Sequence, residues 1–260
     1  EARERLTKLG VMSFSGSRRP RSNSLSARWR RSFRRARKNA FLSFLIDFTV
    51  IVGTALVLSV LIKAFLIRSF FIPSGSMLDT LEINDRIIVN VLAPEVMPLE
   101  RGDVAVFRDP GGWLGAIPTQ EKDTLTEITD FVLGTFGITA PDSAEHLVKR
   151  VIGLPGDRVV CCDADGKLTI NGQAIDEPYV RGEAAPSELE FDVVVPEAHF
   201  WVMGDNRPNS TDSRYHQDLP TKGFVPIEVV VGRAFVVSWP VENWEFLTNY
   251  PETFGVVPNP

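Results

Sequence analysis

The sequence predicts a mainly β protein: an antiparallel β-sheet domain carried behind a single membrane-spanning helix. Three observations lead to it. A basic arm poor in apolar residues opens the chain. It runs directly into 27 residues of nearly unbroken hydrophobicity (41–67). The remainder breaks into short β-branched or aromatic runs bounded by Gly, Pro, Asp and Asn.

The arm comes first. Residues 1–40 hold 13 Lys or Arg against 2 Glu, a local charge of +11. The other 220 residues hold 15 basic and 31 acidic side chains, or −16, so the overall −5 averages two unlike parts. An Arg- and Ser-rich stretch of this kind buries too little surface to offset its ordering entropy and is expected to be disordered. Nucleic-acid-binding arms share the composition, but the helix that follows points to a membrane and to no nucleic-acid partner.

The apolar stretch reads FLSFLIDFTVIVGTALVLSVLIKAFLI, with no charge between Phe48 and Ile62. At 1.5 Å per residue it reaches about 40 Å, ample for a hydrocarbon core of roughly 30 Å. Asp47 and Lys63 lie toward its ends, where a long side chain reaches the headgroups. Apolar residues occupy every side, which suits lipid better than a one-sided protein core. A cleaved leader has a shorter apolar region followed by a small-residue cut site, so an anchor is expected. The basic arm places residues 1–40 in the cytoplasm and residues 68–260 outside it, in a single-pass plasma-membrane protein.

Residues 86–90, 103–107, 158–160, 168–170, 191–195, 199–203 and 229–239 read as strands. Asp165-Gly166 and Asn171-Gly172 sit between such runs and supply positive-φ hairpin turns. A helical spacing appears only at 123–136, within a stretch (110–145) that reads as an insertion between strands. Its Trp113, Leu114, Ile117, Phe131, Val132, Leu133 and Phe136 are too many large apolar residues for a loop in water. They imply either contact with the bilayer or cover for the β core.

Two cysteines occur, adjacent at Cys161 and Cys162. A trans peptide spaces their Cα atoms about 3.8 Å apart, below the usual disulfide range of roughly 4.4–6.8 Å, so two free packing thiols are expected. No metal-ligand spacing is present and the three histidines are scattered, so neither metal nor cofactor is expected.

Three islands could carry chemistry: FIPSGSM (71–77), KRVIGLPGD (149–157) and GDNRPNSTDSR (204–214). Taken singly, each has a plain reading: a turn serine, a solvated strand lysine, an ion-paired loop. Taken together they read differently. A serine nucleophile needs a base, and no histidine has an evident triad context. A lysine among Leu147, Val148, Val151 and Ile152 would be desolvated, its pKa lowered and its neutral amine able to accept a proton. Ser–Lys pairs are a recognised variant of the serine triad.

In this order, with the basic arm, the anchor and the strand GDVAVF (102–107), the islands closely resemble the bacterial type I signal peptidases. The resemblance implies a serine endopeptidase that removes signal peptides from exported preproteins beside the bilayer and the secretion translocon. It implies Ser76 as nucleophile, Lys149 as general base, and Ser74 with the Ser76 N–H as oxyanion hole. Ser210 would orient the Lys149 amine. Arg150, Asp205, Arg207, Asp212 and Arg214 would brace the site. Phe70, Ile72, Met77, Leu81 and Val148 would line shallow pockets for small side chains. Two positions depart from the family pattern, Asp79 for Pro and Gln217 for Gly, and both bear on turn geometry. Self-cleaving regulators also use a Ser–Lys pair but carry a DNA-binding domain and no span. A catalytically inactive, membrane-tethered β scaffold is the non-enzymatic alternative.

Overall fold

The computed structural model describes residues 40–115, 145–182 and 184–260. The arm and most of the insertion, including the 123–136 helix, lie outside them. The chain divides near Leu56 into two units, and the β architecture belongs to the second.

The helix α1 (Ala40–Phe65) forms where expected. Its stretch Leu42–Val60, of mean hydropathy 2.1, is long and apolar enough to cross a membrane, and none of its residues is buried. The helix stops two residues short of the expected end, because Ile67 already opens β1 (Ile67–Phe71).

Two antiparallel sheets follow. The larger joins β1, β2 (Arg86–Asn90), β3 (Val104–Arg108), β4 (His146–Gly153), β9 (His199–Met203), β10 (Val225–Pro226), β11 (Val230–Trp239) and β12 (Glu245–Phe246). Its order is β1-β2-β11-β3-β4-β9-β10, with β12 on β11. The smaller runs β7-β6-β5-β8 from β5 (Arg158–Cys161), β6 (Thr169–Ile170), β7 (Gln173–Ala174) and β8 (Phe191–Val194). Asn171 and Gly172 turn between β6 and β7 with φ of 52° and 79°, the pair of positive angles a tight hairpin requires. A last helical turn, α2 (Pro251–Phe254), closes the chain.

The alternation that marks these strands in sequence becomes burial in the fold. Ile87 and Val89 of β2 are fully buried and pack with Leu81, Val104, Val106 and Val237. Each such side chain contributes about 1.5–3 kcal/mol relative to exposure. Ile152, Val159, Leu168, Ile170 and Trp201 join the two sheets in a second cluster.

One expectation is corrected, and one of two alternatives is decided for Trp113. Cys161 and Cys162 are not free thiols but are joined to each other across a cis peptide bond; the 3.8 Å spacing assumed a trans bond, and the Cα atoms here are 2.9 Å apart. Trp113 does not face a bilayer. It is 8% exposed and packs in a third cluster with Phe107 and Val202. The other large apolar residues of the insertion, Leu114 excepted, lie outside the described residues.

Candidate active site

Strand β4 sets the geometry. Successive strand residues project to opposite faces, so the neighbours Lys149 and Arg150 separate. Lys149, 3% exposed, reaches the serine turn that follows β1, and its Nζ lies 2.6 Å from Ser76 Oγ. Its other partner is the Val148 carbonyl, at 3.1 Å. Burial strips the ammonium of water and pulls the Lys149 pKa down from 10.5 to about 8. The Asp212 and Asp205 carboxylates oppose that pull, and Arg214 adds to it.

Arg150 goes the other way. Its Nε and Nη2 hold Asp205 at 2.9 and 2.6 Å, and its Nη1 donates to Gly102 O at 2.6 Å. The guanidinium lies over the rings of Tyr179 and Tyr250, 4.4 and 5.0 Å from their centres. Both ions of the pair are fully buried. Such a pair is sustained only by added hydrogen bonds of this kind.

The loop after β9 clamps the serine turn. Asn206 N donates to Ser76 O (3.1 Å), Asn206 Nδ2 to Gly75 O (2.8 Å) and Thr80 Oγ1 to Asp205 Oδ2 (2.6 Å). Arg207 pairs with Glu177 through two bonds, and Arg214 pairs with Asp212. Arg150, Asp205, Arg207, Asp212 and Arg214 therefore form one buried charged framework behind the Ser76–Lys149 pair. Thr80, Asn206 and Glu177 complete it, and sequence reasoning did not single them out. Asn206 sits inside the third island, where its spacing from Asp205 was a usable signal. Glu177 had none.

Ser210 is adjacent but differently engaged. Its hydroxyl donates to Asp212 Oδ2 (2.8 Å), which also accepts from Gly204 N (2.9 Å). Ser74 is exposed, its Oγ 3.5 Å from Ser76 Oγ.

A cleft of about 110 Å³ opens on the pair. Phe70, Ile72, Met77 and Val148 line it as expected; Leu81 does not. Leu81 is wholly buried among core residues beneath the turn. Strand β4 pairs with β3 from His146 onward but with β9 only from Arg150. Its Leu147–Lys149 edge thus has no strand on the β9 side among the described residues. Asp79 takes φ of 76° and pairs with Arg181. Proline cannot adopt that angle, so this turn differs from a proline-bearing one.

A buried lysine amine of lowered pKa touching a serine hydroxyl, at an apolar cleft beside a strand edge left open among the described residues, suits peptide-bond hydrolysis. The sequence model for signal peptidase, peptidase S26, matches residues 45–239. The chain is 34% identical over 229 residues to a probable signal peptidase I of Mycobacterium leprae, covering 78% of each chain. It is 36% identical over 208 residues to a probable signal peptidase I-2 of Synechocystis, covering 80% of this chain and 79% of the relative. It is 37% identical over 222 residues to signal peptidase I of Mycobacterium tuberculosis, covering 78% of this chain and 75% of the relative. The matched stretch holds Ser76, Lys149 and the whole 204–214 loop, and the chain is a peptidase belonging to the signal peptidase family, peptidase S26.

Proposed function

We propose that this protein removes N-terminal signal peptides from exported preproteins, with Ser76 as nucleophile and Lys149 as general base. The observation that carries the reading is the 2.6 Å approach of the buried Lys149 Nζ to Ser76 Oγ. Neutral Lys149 takes the Ser76 proton as Oγ bonds to the scissile carbonyl carbon. The oxyanion meets the Ser76 N–H and the Ser74 hydroxyl; one such donor is commonly worth about 3 kcal/mol in the transition state. The tetrahedral adduct collapses with loss of the C–N bond, and the lysine ammonium gives its proton to the departing amine. Water then attacks the acyl-enzyme, its proton passing to Lys149, and the proton returns to Ser76 Oγ.

The substrate adds as a strand to the open Leu147–Lys149 edge, its small side chains entering the cleft beside Phe70, Ile72, Met77 and Val148. Helix α1 is the anchor, the basic arm its cytoplasmic lead and the β unit its extracytoplasmic part, with the secretion translocon as neighbour. Lipid contact by the β unit falls to Trp239, Val241, Trp244 and Phe246, which are 56–66% exposed, in place of the buried Trp113.

The test is cleavage of a purified preprotein by the full chain in detergent, with the new N-terminus read by mass spectrometry. A single cut after a small residue is expected, and none with Ser76→Ala or Lys149→Ala. Undiminished cleavage by either variant would refute the assignment. Biotinylation of the β unit by an impermeant reagent on intact cells tests the orientation.

A further inference from the structure

We propose that Asn206 is the positioning residue of the oxyanion site: its side-chain amide sets the direction in which the Ser76 N–H points. The inference rests on the proteolytic reading above, in which that N–H meets the oxyanion. It deepens that reading by naming what aims the donor.

The peptide bond between Gly75 and Ser76 is trans. In such a unit the C=O and N–H share one plane and point in opposite directions. Whatever holds the Gly75 carbonyl therefore also aims the Ser76 N–H. Gly75 O accepts from Asn206 Nδ2 at 2.8 Å and from Leu78 N at 3.4 Å, so the amide is the closer of the two donors. Among the described residues the Ser76 N–H has no acceptor of its own, and nothing on that side fixes the plane. Gly75, with no Cβ, lets the plane turn at small steric cost. The bond from Asn206 is what opposes that rotation. By polarising the carbonyl it also strengthens the N–H of the same unit as a donor.

The next carbonyl is held by the same residue, since Asn206 N donates to Ser76 O at 3.1 Å. Asn206 thus grips both sides of the nucleophile, one through its side chain and the other through its backbone. A substitution at this position removes the first bond and keeps the second.

Asn206 is itself firmly placed. It is 6% exposed, and its carbonyl accepts from Asn209 N at 3.0 Å. Its chain neighbour Asp205 is bound by Arg150 and Thr80, each at 2.6 Å. Arg207, on the other side, donates to Gly204 O at 3.0 Å and pairs with Glu177. The buried ion pairs on either side of Asn206 therefore fix the amide that aims the donor.

The experiment compares the wild-type full chain with Asn206→Ala and Asn206→Asp, in detergent, on a synthetic signal-peptide substrate. Aspartate keeps the size of asparagine but turns a carboxylate oxygen toward the Gly75 carbonyl, so the donor is lost. Losing an oxyanion donor outright commonly costs about 100- to 1,000-fold in kcat, and a misdirected one should cost about tenfold to 100-fold. KM should stay within about twofold, because the lost interaction belongs to the transition state. The acid limb of the pH profile should keep its wild-type midpoint, since Lys149 is untouched.

A second readout separates this from a merely structural effect. A peptide aldehyde of the substrate's sequence adds the Ser76 O–H across its C=O, and the hemiacetal oxygen so formed occupies the oxyanion site. The matching peptide alcohol cannot be attacked and binds through the cleft alone. The ratio of their inhibition constants is taken within one variant, so it does not depend on the fraction of chain that is folded. The advantage of the aldehyde should shrink about tenfold in both variants. An unchanged advantage, with cleavage still abolished by Ser76→Ala, overturns the inference and leaves the proteolytic reading standing. A rate loss carried by KM alone, or by a shifted acid limb, also overturns it, for it would place the effect in the cleft or on Lys149. Failure of the wild-type chain to cleave, or undiminished cleavage by Ser76→Ala, removes both.

Discussion

At the scale of single residues, the proposed mechanism turns on Lys149. Its amine must be neutral to accept a proton, and burial sets its pKa at about 8. The value of kcat/KM should therefore rise about tenfold per pH unit on the acid side and level off above pH 8. A limb near 6.5 that vanished on His216→Ala would point to histidine instead. Lys149→Arg should be inactive, since guanidinium does not deprotonate. Ser76→Ala and Lys149→Ala should each lose about a thousandfold or more in rate with little change in melting temperature, because the pair works as a unit. The same pKa has a stability consequence. The unfolded chain keeps the Lys149 proton up to about pH 10.5 and the folded chain sheds it near 8, so unfolding free energy climbs with pH between those values. Lys149→Met should flatten that rise in thermal melts at pH 8 to 10.

At the scale of elements, the loop between β9 and β10 does what no strand does. Gly204 separates the serine turn from Ser210: a Cβ there would lie 2.5 Å from Ser76 O and would also strike the Ser210 side chain. Gly204→Ala must displace one of them, and misplacing a nucleophile by an ångström commonly costs about 100-fold in rate. A variant with more than half of wild-type activity would show that the turn yields without consequence. On the other face of β4, removing Asp205 would strand the buried Arg150 cation against Tyr179 and Tyr250. Asp205→Ala should cost about 3–5 kcal/mol in chemical denaturation, against little change for Asp192→Ala, whose pair with Arg158 is exposed.

For the whole molecule, the question is how a β unit works at a bilayer. Trp239, Trp244 and Phe246 are more than half exposed, whereas Trp113 and Trp201 are buried. Interfacial tryptophans favour the headgroup region. In vesicles carrying a lipid-borne quencher, part of the tryptophan fluorescence of the full chain should be quenched. The double change Trp239→Phe, Trp244→Phe should remove a large share of that quenched fraction. An unchanged quenched fraction would mean that this patch stays in water.

The order of parts was legible from the chain alone. Hydrophobic length and composition are local, so the apolar helix and most strands were found within a residue or two, and the three islands contain the Ser76–Lys149 contact and its charged neighbours. What stayed hidden depended on residues far apart in sequence. Lys149 and Arg150 are neighbours that strand alternation sends to opposite faces, one toward Ser76 and the other toward Asp205. Ser210 was expected to hold the lysine, and its hydroxyl reaches Asp212 instead. Leu81 was assigned to the cleft by resemblance but belongs to the core, because a motif match does not tell how deep a side chain sits. Trp113 could equally meet the bilayer or cover the core, and the choice fell to His216, more than a hundred positions later, stacked on its ring. Patterns along the chain determine which elements form and what chemistry they carry; only the tertiary structure decides which side chains meet, because burial and contact belong to the packed assembly of elements and not to any one of them.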